Sequence, residues 1–229
     1  MPRETLDRKI HQLQDEVLLL GSMVEQAALS SVDALKKRDV KAAQQVYDHD
    51  QQINEKRFAI ENAILIVMAT QQPLAHDLRL LVAILYVTDE LERMGDYAKG
   101  IAKITRRLAD DDSVPIPSRE FTQMADLTVS MLHRALSAFI NENLSQASSI
   151  PREDDEVDSL YVKVYHKVVN EMIKKPEIID TANLMMWVAH NLERMADRVT
   201  NICERTVFIV TGELLEIEPS DDEEIESAG

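Results

Sequence analysis

The chain has little of what many catalytic and binding scaffolds are built from. Of its 229 residues one is cysteine, five are glycine, seven are proline and ten are aromatic. The lone Cys203 excludes an internal disulfide and zinc-finger chemistry, and it fits a reducing compartment. Gly21, Gly95, Gly100, Gly212 and Gly229 are too scattered to cradle a phosphate. Alternating runs of β-branched and aromatic residues, the mark of strands, are nearly absent. No run of about eighteen apolar residues predicts a membrane span. The charged start from Met1 to His11 lacks the apolar stretch of a secretory signal. The expected location is the cytoplasm.

Bases are also scarce. Lys plus Arg number 25 against 41 Asp plus Glu, a net charge of −16. Eight of those acids fall from Glu213 onward with no base among them, so the tail is expected to be disordered and solvated. An acidic body argues against nucleic acid as a partner, because phosphate backbones call for a positive field. No nucleophile–base pair and no basic aromatic patch is present.

What remains is rich in helix formers, and the apolar positions recur with helical spacing. A first helix carries the stripe Leu6, Ile10, Leu13, Val17, Leu20, Val24, Ala27, Ser31, Ala34 and ends at Lys36-Lys37-Arg38. Asp39 is placed to cap the second helix, whose stripe runs Ala43, Val46, Asp50, Ile53, Arg57, Ile60, Ile64, Val67. Pro73 ends it. The third helix begins near Ala75 to Asp77. Its stripe Leu78, Val82, Leu85 turns acidic at Asp89, Glu92 and Asp96, while a neighbouring apolar stripe faces the core. A linker from Asp110 to Ser118 follows.

The plan then repeats. A fourth helix spans about Arg119 to Ile140, and a fifth has the stripe Ala147, Ile150, Asp154, Val157, Tyr161, Val164, Val168. A sixth carries Ile179, Asn183, Met186, His190, Glu193, Asp197 and stops at Gly212. Shifting the second-helix stripe by 104 positions lays Asp50 on Asp154, Ile53 on Val157 and Asn54 on Asp158. The predicted fold is all-α: two tandem three-helix bundles, residues 1–110 and 111–215, followed by an acidic tail over 216–229.

One hexapeptide occurs in both halves, Leu91-Glu92-Arg93-Met94-Gly95-Asp96 and Leu192-Glu193-Arg194-Met195-Ala196-Asp197. Its Glu and Asp stand at i and i+4, on one helix face, where like charges cost roughly 0.2–0.5 kcal/mol. Asp50, Glu92 and Asp96, with Asp89 and Asn54 nearby, form one candidate cluster. Asp154, Asp158, Glu193 and Asp197, with His190, form the other. Crowded carboxylates need a counter-charge. A divalent cation supplies it: Mg or Mn for an all-oxygen set, Fe in carboxylate bundles, Zn or Fe where His190 joins. The competing reading is an exposed acidic stripe neutralised by Arg93 and Arg194. Met94, Met185, Met186, Met195, Tyr161, Tyr165 and Trp187 read as packing residues, and the isolated His11, His49, His76, His133 and His166 as surface residues.

The two E-R-M-x-D copies, the run Gln72-Pro73-Leu74-Ala75-His76-Asp77-Leu78-Arg79 and the ending Thr211-Gly212-Glu213 together resemble the PhoU family. The resemblance covers the chain to about residue 215. It implies two similar three-helix bundles and a metal site in each, carried over to Glu92 and Asp96 and to Glu193 and Asp197. Asp50, Asp154 and Asp158 fit its neighbouring-helix acids. Asn54, standing where the second half has Asp158, implies fewer ions in the first site. It further implies a non-enzymatic adaptor linking a phosphate ABC transporter, through its ATPase subunit, to a membrane sensor histidine kinase, and holding the phosphate-starvation response off. A homodimer is expected, and any membrane association would come through partners. Two alternatives stand beside this: an all-α metal-dependent nucleotide pyrophosphohydrolase, with Arg93, Arg194 and Lys99 available for phosphates, and a helical adaptor without metal.

Overall fold

A computed structural model describes residues 2–108 and 111–217. The helices are α1 (Pro2–Lys37), α2 (Val40–Gln71), α3 (His76–Arg107), α4 (Ser118–Ile140), α5 (Leu144–Ser149), α6 (Asp154–Lys174) and α7 (Ile179–Thr211). Six of them are long, and there is no strand among the described residues. The all-α prediction holds.

Local chemistry sets the boundaries. The Asp39 side chain accepts from the Ala42 N–H at 2.9 Å and caps α2. Gln72, at φ 49°, takes the left-handed turn ahead of Pro73. Gly212, at φ 80°, closes α7, its N–H donating to the Phe208 carbonyl at 2.9 Å. The predicted fifth helix is not continuous. Pro151 lacks the N–H that an α-helix requires, and the chain passes through a tight 3₁₀ turn at Ile150–Glu153 between α5 and α6. The buried stripe continues through the break: Ala147, Ile150, Asp154, Val157, Val164 and Val168 are in the interior, and Tyr161 is partly buried against the core.

α1, α2 and α3 pack on one another, as do α4, α6 and α7; α3 against α7 and α1 against α4 join the two sets. Most of their buried apolar residues form one core that runs through both sets, with a small separate cluster of Ala34, Ala43, Val46 and Ala102. Two glycines lie at the junction. A Cβ on Gly21 would meet Leu136 Cδ1 at 2.2 Å, and one on Gly100 would meet Asn191 Nδ2 at 2.9 Å. The interbundle link is therefore tightly fitted. The linker is pinned as well: the Arg38 guanidinium donates to the carbonyls of Leu108, Asp111 and Val114, Thr181 Oγ1 donates to Asp111 at 2.6 Å, and Val114 is buried.

By composition α1 is long and apolar enough to cross a bilayer, but its Leu6-to-Ala34 stripe is buried against the other helices. Met94, Met185 and Met195 are core residues as predicted. Trp187 and Tyr165 are not packed inside but about half exposed. After Gly212 the chain returns along α7. The Ile217 N–H donates to Glu204 at 3.0 Å, and the Ile217 side chain rests on the core. The rest of the predicted disordered tail, 218–229, lies outside the described residues.

The repeat also shows how packing was kept while residues changed. A Cβ on Gly95 would stand 3.1 Å from Ile53 Cδ1. The matching pair in the second half is Ala196 and Val157, one methyl more on one helix and one methylene fewer on the other. Gly95→Ala is expected to be better tolerated by about 1 kcal/mol in an Ile53→Val background than in the wild type. Urea unfolding of the four proteins in the cycle measures this, and equal effects in both backgrounds would contradict the steric account.

Candidate metal centre

α2 and α6 each bury one carboxylate at the same register position. Asp50 and Asp154 are both 4% exposed. α3 and α7 face them with Glu92 and Glu193, which are partly buried, while Asp96, Asp158 and His190 sit exposed at the rims. All the predicted positions therefore fall on the α2–α3 and α6–α7 faces, in an inner layer and an outer one.

In the second half, among the described residues, no lysine or arginine forms an ion pair with the inner carboxylates Asp154 and Glu193; the arginines stand at Asp197. Asp154 Oδ1, Glu193 Oε2 and Thr200 Oγ1 are buried and make no hydrogen bond. The nearest ring nitrogen, His190 Nδ1, is 3.4 Å from Glu193 Oε2. Burial, followed by the charges of Asp158, Asp197 and Glu193, pushes the Asp154 carboxyl up to about 7. Burial, then Asp197 and Asp158, pushes Glu193 up to about 7, with Arg194 and Arg198 opposing. Two carboxyls hold protons near neutrality because burial and their mutual repulsion outweigh the opposing arginines. The arginine reading is realised only at the rim: Arg194 lies 2.7 Å from Asp197 and Arg93 3.0 Å from Asp89. Arg198 is shared between the halves, 3.4 Å from Glu90 on α3 and 3.9 Å from Asp197.

The first half is built differently. Lys99 Nζ lies 2.5 Å from Asp50 Oδ2, and Asn54 Nδ2 donates to the same oxygen at 3.2 Å. Arg57 stands 3.0 Å from Glu61, 3.6 Å from Asp89 and 3.9 Å from Glu92. Glu92 is still raised, by burial first and then by Asp96, while Arg57 opposes. The sequence reading left out these two cations as structural members of the cluster. The signal was available: the repeat offsets align Lys99 with Thr200 and Arg57 with Tyr161, so the halves differ by two positive charges at matched positions.

The donor set of the second cluster fits a hard or borderline divalent cation: carboxylates, a buried hydroxyl and an imidazole at the edge. As the side chains stand, no three Asp, Glu, His or Cys groups among the described residues are gathered tightly enough to close around an ion. Uptake would draw the rim acids Asp158 and Asp197 inward. A groove of about 760 Å³ between α4 and α6 is lined by Arg119, Asp126, Asp155 and Lys163 and does not include the inner carboxylates. A smaller hollow of about 290 Å³ beside His190 is edged by Tyr161, Asn183, Met186 and Trp187.

The other motifs behind the resemblance meet elsewhere. In the Gln72–Arg79 turn, Asp77 is bound by Arg3, and Arg79 Nε donates to the Ile209 carbonyl at 3.4 Å, beside Gly212. These residues tie the α2–α3 turn to both chain ends of the helical body.

Comparison with known proteins agrees with this architecture. A family model described as the PhoU domain matches residues 6–105 and again 121–206. A phosphate-specific transport system accessory protein PhoU homolog of Clostridium acetobutylicum is 32% identical over 218 residues, covering 95% of this chain and 99% of that protein. The homolog of Streptococcus pneumoniae is 34% identical, covering 94% and 99%. The crystal structure of PhoU from Pseudomonas aeruginosa superposes with a TM-score of 0.85 at 29% identity, covering 90% of this chain and 99% of that one. That of the phosphate transport system regulatory protein PhoU from Streptococcus pneumoniae gives 0.84 at 33% identity, covering 92% and 99%.

The raised carboxyls set a pH dependence. From unperturbed values of 3.8 and 4.5, Asp154 and Glu193 rise to about 7 in the fold. The folded state thus binds these protons more tightly than the unfolded one, and the stability they contribute is present below about pH 4 and lost as the pH climbs through 7. Chelator-treated protein is expected to melt at a higher temperature at pH 5.5 than at pH 8. Asp154→Asn/Glu193→Gln should remove most of that difference, and calorimetry of both proteins at both pH values checks it.

Proposed function

The chain belongs to the PhoU family, and from that premise we propose that it is a regulator of phosphate uptake that holds the phosphate-starvation response off, acting as a metal-binding adaptor and not as an enzyme. It would work in the cytoplasm between the phosphate ABC transporter, met through its ATPase subunit, and a sensor histidine kinase. The observation that carries the metal part is the pair of buried carboxylate oxygens Asp154 Oδ1 and Glu193 Oε2, on adjacent helices, that make no hydrogen bond. A bound divalent ion would supply the charge they lack and clamp α6 to α7. Mn, Mg, Fe and Zn all suit the donor types, with His190 favouring Zn or Fe.

The names of the relatives, accessory and regulatory proteins of phosphate transport, support the regulatory reading. A pyrophosphohydrolase would need free bases beside the metal to hold phosphates. Here Arg194 is engaged by Asp197, Arg198 by Glu90 and Lys99 by Asp50, which favours the adaptor. Long exposed helix faces suit protein partners and a homodimer.

In bacteria deleted for their own PhoU-family gene, the chain is expected to restore repression of a phosphate-starvation reporter in phosphate-rich medium. Asp154→Asn/Glu193→Gln should keep its helical content, lose Mn²⁺ binding and restore repression at least about tenfold less well. Co-purification of the named kinase and ATPase subunit with the wild type reads out the adaptor role. Full repression by the metal-blind variant would separate regulation from the metal, and a reporter left unrepressed by the wild type would remove the regulatory reading.

A further inference from the structure

The repeated acidic clusters differ in what already occupies them. In the first, the Lys99 ammonium sits against Asp50 Oδ2 at 2.5 Å, and Asn54 Nδ2 donates to that same oxygen. The Lys99 side chain is only 24% exposed. Its Nζ also lies 5.4 Å from the centre of the Tyr47 ring, which favours a cation there. Arg57, 20% exposed, faces Asp89 and Glu92 from the other side. At the matching positions of the second half stand Thr200 and Tyr161, neither of them charged. The Thr200 hydroxyl is buried without a partner, as is Asp154 Oδ1, the oxygen of the carboxylate equivalent to Asp50.

We propose that Lys99 is a resident cation of the first cluster, taking the charge-neutralising place of a metal ion there, so that ion uptake is confined to the second cluster. The confinement rests on the metal reading of Asp154 and Glu193 given above; the role of Lys99 rests on its own geometry. Asp50 Oδ1 is buried without a hydrogen bond, yet an ion approaching it meets an ammonium on the other oxygen of the same carboxylate and a guanidinium beyond Glu92. Like charges so placed repel a dication. The first cluster thus departs from the two-site pattern that family resemblance implies: its residues fit a lysine-held carboxylate better than a metal-held one. In the second cluster a hydroxyl stands at the lysine position, and the arginines are held out at Asp197, so Asp154 has no ion-pair partner of its own.

The test uses the full chain, stripped with chelator and titrated with Mn²⁺ alone, followed by calorimetry and by the electron paramagnetic resonance of the bound ion. The wild type is expected to take up Mn²⁺ and Asp154→Asn/Glu193→Gln to take up none. Adding Lys99→Thr and Arg57→Tyr to that blind variant should create binding that Glu92→Gln then abolishes. Conversely, Thr200→Lys in the otherwise native chain should weaken Mn²⁺ binding about a hundredfold. Circular dichroism confirms that each variant is folded. Mn²⁺ retained by Asp154→Asn/Glu193→Gln and lost on Glu92→Gln would overturn the proposal while leaving metal binding intact. A wild type that binds no Mn²⁺ would instead remove the metal reading, and with it the confinement. The Lys99 role is then decided by a thermal cycle. Lys99→Met should lower Tm markedly in the native chain and far less beside Asp50→Asn, and equal shifts in both backgrounds would refute it.

Discussion

A buried carboxylate on the second helix of each bundle is the constraint on which the rest of the design turns. Asp50 and Asp154 occupy positions that the helical stripe would otherwise give to an apolar residue, and both are 4% exposed. Removing an ionised carboxylate from water costs several kcal/mol even after relaxation. The fold must offset that cost or keep the group protonated. The first bundle offsets it with an ammonium drawn from α3. The second offers no equivalent, and its carboxyls respond by holding protons up to about pH 7. The same physical problem, set twice by duplication, has two solutions in one chain.

Packing and charge have diverged by different rules in the two halves. Where volume changed, the change was compensated locally: Gly95 against Ile53 on one side corresponds to Ala196 with Val157 on the other. A close-packed interior has no room for anything else. Where charge changed, from Lys99 to Thr200 and from Arg57 to Tyr161, the compensation is incomplete: Arg198 replaces Tyr97 but lies against Asp197, and Asp154 Oδ1 remains without a hydrogen bond. Arg194 and Arg198 are held at the rim by Asp197. With Asn201, Arg198 also reaches Glu90, joining α7 to α3. Part of the charge beside the second cluster is thus committed to holding the halves together.

Much of this was legible in the sequence because period and register are local properties. The stripe Ala43, Val46, Asp50, Ile53, Ile60, Ile64, Val67 is the buried face of α2 as read, with Arg57 the one partly exposed member. A shift of 104 positions located Asp154 correctly in a helix whose continuity was misjudged, since the buried face survives the turn that Pro151 imposes. What escaped was long-range. Lys99 reads as an ordinary surface lysine until α2 and α3 are laid side by side, and nothing in its own neighbourhood marks it as the partner of a residue 49 positions away. Gly21 and Gly100 looked scattered because their meaning lies in Leu136 and Asn191, on the other bundle. Trp187 and Tyr165 were assigned to packing by residue type, yet helical phase leaves them facing outward.

The asymmetry has a consequence for how such a molecule can respond. An ammonium on a covalent tether cannot dissociate, so α2 and α3 carry a fixed counter-charge whatever the surroundings. Protons exchange, and on the proposed reading metal ions would too, so the state of α6 and α7 would follow pH and ion supply. α7 also packs along α3, and the junction is tight at Gly100 against Asn191 and charge-paired at Arg198 with Glu90. Under that reading, a change in how α7 sits on α6 would be delivered to a half whose own counter-charge is fixed. The arrangement would then suit a lever: one arm with a tethered lysine, the other set by an exchangeable cation, and a closely packed junction between them. Two exchangeable sites would let both halves loosen together and leave no fixed frame, and two lysine-held sites would leave nothing to set.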